Sequence, residues 1–206
     1  MPKGSATPTQ RVLLVEGPDD KHTVINLCMV SSNMPRFCIL DKEGKDNLLK
    51  SVRGEILAED RVVVGILMDA NDDLNARWQA VTSRLRDAGI QPPSTPSLHG
   101  TIIQGNPRVG VWLMPDNQSG GELEDFVERM IPANDAVWPL SQNYIDGISE
   151  ADRKFTKGKT LRAKVHAWLA AREHPRRMGS AIGVGDLEVD VETTKKFVSW
   201  LRQLFT

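Results

Sequence analysis

The stretch RVVVGILMD, Arg61 to Asp69, is apolar at odd and even positions alike and then runs into a knot of polar and acidic residues, Asp69, Asn71, Asp72 and Asp73. A strand that hides one face alternates apolar with polar. One that is apolar throughout must be covered on both faces, as in the interior of a parallel sheet flanked by helices. The upstream sequence has the rhythm such a sheet needs. RVLLVEG, Arg11 to Gly17, is a short apolar run stopped by Gly17 and Pro18, which reads as a buried strand and turn. Asp19 or Asp20 can cap the following helix, whose Val24, Ile25 and Cys28 lie at helical spacing. RFCIL, Arg36 to Leu40, is a second strand, and Leu48, Leu49, Val52 and Ile56 mark the core face of a second helix. After the third strand, Leu74, Trp78, Val81, Leu85 and Ala88 make a helix ending near Gly89. Three βα units in succession predict an α/β fold with a doubly wound, mainly parallel sheet.

IQPPSTPSLHG, Ile90 to Gly100, carries three prolines and reads as a loop. TIIQG and RVGVWLMP follow as two strands about Asn106-Pro107, expected to form a hairpin. Leu123, Phe126, Val127, Met130 and Ile131 give a further amphipathic helix just after Gly120-Gly121. The expected organisation is a flexible N-terminus (1–10), an α/β domain (11–132) and a mostly helical part (133–206) packed on it. In that last part Leu161, Val165, Trp168 and Leu169 share one helical face, and Phe197, Val198, Leu201, Leu204 and Phe205 another. The glycine-rich GSAIGVGDLEVD, Gly179 to Asp190, follows no strand and reads as a loop. With 40% hydrophobic residues in 206, the chain can bury a real core. Cys28 and Cys38 lack metal-binding spacing and suit two buried, reduced thiols of a cytoplasmic protein. MPKGSATPTQ has no apolar core for a signal peptide, and no apolar run suits a membrane span, so a soluble protein is expected.

The acids pose the functional question. In an open parallel sheet ligands bind at the carboxyl ends of the strands. Glu16 closes the first strand and Asp69 the third, so if these strands are neighbours the two carboxylates meet. Carboxylates that close repel unless a cation lies between them, and Mg²⁺ or Mn²⁺ takes such oxygen ligands. A turn role for Glu16 and an N-cap role for Asp72 or Asp73 are the alternatives; Asp69, on the strand, has no such role. From Val111 to Glu128 there is no Lys or Arg but there are five acids, Asp116, Glu122, Glu124, Asp125 and Glu128. Glu122 and Asp125 also suit the dipole of a helix start, and Asp116 a turn.

VEG at a first strand end with an acid four residues on (Glu16, Asp20), and an apolar strand ending Asp69-Ala70-Asn71, resemble the Toprim domain of topoisomerases, bacterial primases and the overcoming-lysogenization-defect (OLD) nucleases. VGILMDAND, VWLMPDN and GGELEDFV look like a small stand-alone Toprim-like group nearest the OLD-type nucleases. The resemblance covers roughly the first 130 residues. It implies a Toprim-like, Rossmann-like fold, a metal-dependent phosphodiesterase and, as in OLD-type proteins, a role in phage defence. Glu16, Asp20 and Asp69 would hold Mg²⁺ or Mn²⁺. Asn71 stands where the family carries a second Asp, with Asp73 as its substitute, and Glu122 or Glu124 supplies the acids after the next strand. Lys164 or Lys159 would be the catalytic lysine, with Lys164 preferred. The resemblance further implies an ABC-type ATPase partner, since the chain has no ATPase of its own, and leaves a homodimer open.

The net charge of -1, from 26 basic and 27 acidic residues, decides nothing about nucleic acid. Between Asp152 and Arg177, however, nine basic residues face two acids, and Lys157, Lys159, Arg162 and Lys164 are the candidate backbone contacts. A solvated basic face is the alternative. Gly158-Lys159-Thr160 lacks the upstream glycine and strand of an ATP-binding loop. His166 and His174 have no evident partner ligands, and the five tryptophans sit mostly at core positions. The sequence therefore predicts a metal-dependent nuclease acting on DNA or RNA, with a non-catalytic Toprim-like module that binds nucleic acid or a partner as the alternative. A topoisomerase role is disfavoured by a single tyrosine, Tyr144.

Overall fold

A computed structural model describes residues 7–206. Residues 1–6 of the expected flexible N-terminus lie outside these; Pro8–Gln10 form one 3-10 turn. The chain is α/β. Its strands are β1 (Arg11–Val15), β2 (Cys38–Asp41), β3 (Val63–Asp69), β4 (Thr101–Ile103) and β5 (Arg108–Met114), in the spatial order β2-β1-β3-β5-β4. All pairings are parallel except β4 with β5, the expected hairpin about Asn106-Pro107. The helices are α1 (Pro18–Val30), α2 (Lys45–Leu57), α3 (Leu74–Asp87), α4 (Leu123–Glu128), α5 (Trp138–Gly147), α6 (Thr160–Ala170), α7 (Met178–Gly183) and α8 (Glu192–Phe205). This is a Rossmann-like arrangement of a mainly parallel sheet covered by helices on both faces. Among the described residues no helix is long and apolar enough to cross a membrane.

Alternation along the interior strands sorts the core into two layers. Val12, Leu14, Val64, Ile66, Met68, Val109, Val111 and Leu113 point toward α2 and α3, meeting Val52, Ile56, Trp78 and Val81. Leu13, Val15, Leu67, Trp112 and Met114 point the other way, where α1, α4, α6, α7 and α8 cover them. The C-terminal stretch thus supplies much of one face of the core: Trp168, Phe197, Trp200 and Phe205 are fully buried there.

Two glycines let α8 reach the sheet. Gly65 and Gly110 are opposite one another in the β3–β5 register. A Cβ on Gly110 would fall 2.4 Å from Leu204 Cδ2 and 3.1 Å from its Cγ, and one on Gly65 2.8 Å from Leu13 Cδ1. The glycine-rich segment read as a loop instead begins with α7, because Gly179 brings its backbone against α1: a Cβ there would sit 2.5 Å from the His22 carbonyl. The helix predicted through Ile131 ends earlier, at Glu128. Cys28 and Cys38 are free thiols, half-buried and not buried outright.

Gly110→Ala is expected to destabilise the protein by about 1–3 kcal/mol through overpacking. Leu204→Ala alone should cost about 2–5 kcal/mol, and the pair less than the sum, because the shortened side chain makes room for the new methyl. Urea denaturation of the three variants checks this.

Candidate metal and phosphate site

β1 connects outward to β2 and β3 toward β5, so the winding of the sheet reverses between β1 and β3, and the crevice beyond their carboxyl ends is where such sheets take ligands. Glu16 follows β1 directly, and its Oε1 accepts a hydrogen bond from the Asp69 backbone N–H at 3.0 Å. Gly17 is the N-cap of α1, and its N–H donates to Oδ2 of Asp20 at 3.0 Å, a reach-back from the third helical position that holds the Asp20 carboxylate at the helix start. Glu16, Asp20, Asp69 and Glu124 line one cavity of about 310 Å³. Asp20 is 7% exposed. Asp69 Oδ1 is buried without a hydrogen-bond partner. Among the described residues no cation stands within ion-pair distance of Glu16, Asp20 or Asp69; the neighbouring ion pairs involve Glu122 and Glu124 instead.

The electrostatic consequence is steep. Burial, then the Glu16 charge, pushes the Asp20 carboxyl up to about 7. Burial together with Asp20 and Glu16 raises Asp69 well above the usual carboxylate range. Glu16 is also raised, chiefly by burial, although the Asp69 N–H and the charges of Arg77 and Lys45 oppose the rise. Without a cation, these acids hold protons at pH values where an exposed carboxylate would be ionised.

The second group of acids arrives on α4. Asn71, after β3, and Gly121, before α4, exchange two backbone hydrogen bonds of 2.7 Å, which joins the two loops. The glycine pair permits the approach: a Cβ on Gly120 would lie 2.6 Å from the Asn71 carbonyl, and Gly121 has φ +145°. The Glu122 N–H donates to Asp125 Oδ2 at 2.7 Å and starts α4. Glu122 pairs with Lys159. Glu124 is 3.2 Å from Arg162 Nε and 3.7 Å from His166 Nε2. Burial alone would raise Glu124, but the neighbouring His166 and the Arg162 charge bring it below its ordinary value. Asn71, Asp72, Glu122, Glu124 and Arg162 line a second cavity, of about 330 Å³, adjoining the first.

Of the residues singled out in the sequence, Glu16, Asp20, Asp69 and Glu124 are brought together, with Asn71 and Glu122 beside them. Asn71 is left-handed at φ +54°, and with its amide turned to satisfy both neighbours it donates to Glu122 Oε1 at 2.9 Å and accepts from Arg77 at 2.7 Å. Asp73 is the N-cap of α3, accepting from the Ala76 N–H at 2.9 Å, and lines a different cavity. Lys164 is paired with Asp146 at 2.9 Å and lines neither acidic cavity, and Lys157 is exposed outside both. Arg162 lines both, and Lys159 reaches Glu122. Asp116 is a turn residue, accepting from the Gln118 and Ser119 N–H groups. His166, set aside in the sequence, touches Glu124. Arg77 was missed altogether: it lies i+3 from Leu74 and i−4 from Val81, on the apolar stripe of α3, where a cation has little reason to be unless something needs it.

Among the described residues no three His, Cys, Asp or Glu side chains stand grouped to hold a metal ion as they are. Glu122 and Glu124 face protein cations, and the others carry raised pKa values owed first to burial and, at Asp20 and Asp69, also to repulsion between carboxylates. The donor chemistry nevertheless fits a hard divalent cation: carboxylate oxygens, one of them buried and partnerless, with no soft ligand among them.

Residues 10–206 match a family model described as "Protein of unknown function (DUF3226)". No curated protein matches the chain, and no solved structure does.

The raised pKa of Asp20 fixes the sign of a pH effect. Between the ordinary value of 3.8 and about 7 the folded state keeps a proton that the unfolded chain has lost, so this contribution to stability is present at low pH and is lost as pH rises through 7. In chelator, Tm should fall between pH 5 and 8, and Asp20→Asn should reduce that fall by at least roughly 3 °C, the change expected for about 1 kcal/mol in a chain of this size. Circular dichroism melts of both proteins at the two pH values decide it.

Proposed function

The chain belongs to the DUF3226 family, and for its strand-end acids we propose divalent-metal-dependent hydrolysis of phosphodiester bonds in DNA or RNA. The observation that carries the reading is the set Glu16, Asp20 and Asp69, one buried and two half-buried carboxylates that share one cavity and lack any ion-pair partner among the described residues. As mere structure this set is expensive, since each buried charge needs compensation. As a cation site the cost has a use. The Toprim-like order of the same residues along the chain supports the same reading.

Glu16, Asp20 and Asp69 would hold Mg²⁺ or Mn²⁺, with Glu124 reaching the same cavity from α4. Such a cation, when bound, supplies Lewis-acid charge to phosphoryl oxygens and acidifies water. Glu16 is anchored by the Asp69 N–H through one oxygen and offers the other. Arg162 and Lys159, about half exposed at the rim, draw the phosphate and offset charge developing on it; they take the part first given to Lys164. A separate ABC-type ATPase, as in the OLD-type nucleases, belongs to the same proposal.

One observation favours a second reading, a non-catalytic Toprim-like module that binds nucleic acid or a partner: Asn71 is tied to Glu122 and Arg77, and Glu122 and Glu124 are already neutralised from within the chain.

Purified protein should cleave at least one of plasmid, single-stranded DNA and RNA in Mg²⁺ or Mn²⁺. Glu16→Gln and Asp69→Asn should each lower the rate by at least about 100-fold while melting as folded proteins. Cleavage by Glu16→Gln at the wild-type rate refutes the site. Calorimetric titration with Mn²⁺ separates the two readings, because a protein that binds no Mn²⁺ and cleaves nothing is the module.

A further inference from the structure

The cavity beside Asn71 and Asp72 continues into a third, of about 320 Å³, over the first turns of α2 and α3. Two cations line it, Lys45 and Arg77, and among the described residues neither has a carboxylate within ion-pair distance. Arg77 is 9% exposed, and its Nε is buried with no hydrogen-bond partner; one terminal nitrogen donates to the Asn71 amide oxygen. A buried guanidinium with an unpartnered N–H and no carboxylate in contact is only partly compensated: its charge, like that of Lys45, acts on Glu16 from beyond ion-pair distance. Lys45 is exposed at the first residue of α2. That 13-residue helix begins at Gly44 with no side-chain cap, so its first N–H groups add their partial positive charge to the same opening.

The acids in this cavity do not cancel the field. Asp73 commits a carboxylate oxygen to the Ala76 N–H, and Asp72 is exposed, where water and salt screen it. Across the acidic crevice, Lys159 and Arg162 form a second basic rim. Cations therefore flank the carboxylates on both sides, and a ligand that meets both flanks must be a chain of phosphates.

We propose that the Lys45–Arg77 cavity is a phosphate subsite that takes a backbone phosphate flanking the one cleaved, so that the substrate is a polynucleotide lying across the strand ends. The word "cleaved" rests on the nuclease reading; the subsite itself rests on Arg77, Lys45 and the open end of α2. Free phosphate shares the chemistry but spans only one flank.

The experiment is fluorescence anisotropy with a labelled single-stranded oligonucleotide of about 20 nucleotides, in Ca²⁺, over a range of NaCl. Lys45→Ala, an exposed position that the fold tolerates, should weaken binding about 3- to 10-fold and lower the slope of log K against log salt by about 1. Lys50→Ala, exposed on the same helix outside the cavity, should stay within about twofold of wild type. Unlabelled inorganic phosphate should compete far less well, per phosphate, than unlabelled oligonucleotide. The subsite is overturned if Lys45→Ala matches Lys50→Ala, or if the wild type does not retain the oligonucleotide. Competition by inorganic phosphate equal to that by oligonucleotide, per phosphate, overturns the chain-spanning claim. The cleavage assay runs in parallel: cleavage with no Lys45 effect sinks the subsite alone, whereas a Lys45 effect without any cleavage sinks the nuclease reading alone.

Discussion

The candidate site hangs on one hydrogen bond, from the Asp69 backbone N–H to the Glu16 carboxylate. The register of β1 with β3 runs from Arg11 and Val63 to Leu14 and Ile66, and beyond it β1 turns away into α1. On the other side β3 stays paired with β5 as far as Asp69 and Met114. The Asp69 N–H would thus lack a strand partner on the β1 side, and the Glu16 side chain provides one. This gives Glu16 a fixed position. The side chain so held lines the same cavity as Asp69 and as Asp20, whose carboxylate accepts from the Gly17 N–H. A structural need of the sheet end is met by the same side chain that is proposed to hold the cation.

The other half of the crevice comes from the C-terminal helices. Asp135, ahead of α5, accepts from the Val137 and Trp138 N–H groups, the Trp168 indole at 3.0 Å and Arg172 at 3.2 Å. Burial opposes its ionisation, but these donors, Trp168 foremost, hold its carboxyl below the usual range. That hub fastens the far end of α6, and its near end then carries Lys159, Arg162 and His166 over Glu122 and Glu124. α7 closes the same cavity with Met178, brought against α1 at Gly179. Neither the α/β portion nor the helical portion forms the crevice by itself.

The βα rhythm was readable because it rests on short-range physics: both-face burial of Val63 to Met68, periodic apolar residues on α2 and α3, and Gly-Pro or Pro-rich breaks between elements. The neighbourhood of β1 and β3, on which the pairing of Glu16 with Asp69 depends, is a matter of strand order, and local pattern says little about that. Asp73 shows the limit within a single cluster. A cap and a ligand need the same carboxylate at the same spacing, and only the Ala76 N–H contact separates them. The choice of Lys164 failed to anticipate helix phase. Lys159, Arg162 and His166 fall at i, i+3 and i+7 on one stripe, whereas Lys164 lies off it and meets Asp146. α7 was missed because its short glycine-containing sequence has little helical signal of its own, and packing on α1 selects it.

The five acids divide by how they are neutralised, and that division says what the crevice is built to exchange. Glu122 and Glu124 have cations of the same chain beside them, and Glu124 stays ionised below its ordinary range despite burial. Glu16, Asp20 and Asp69 have no cation within ion-pair distance among the described residues; burial raises all three, reinforced by neighbouring carboxylates at Asp20 and Asp69 and opposed at Glu16 by the charges of Arg77 and Lys45. Protons and the divalent cation of the proposed site would be competing ways of discharging the same cavity, and binding of the cation would be coupled to loss of protons from these carboxyls. Arg162 pairs with Glu124 at 3.2 Å, so in the proposed site a cation held near Glu124 would compete with that guanidinium for the carboxylate and leave Arg162 available to a phosphate at the rim.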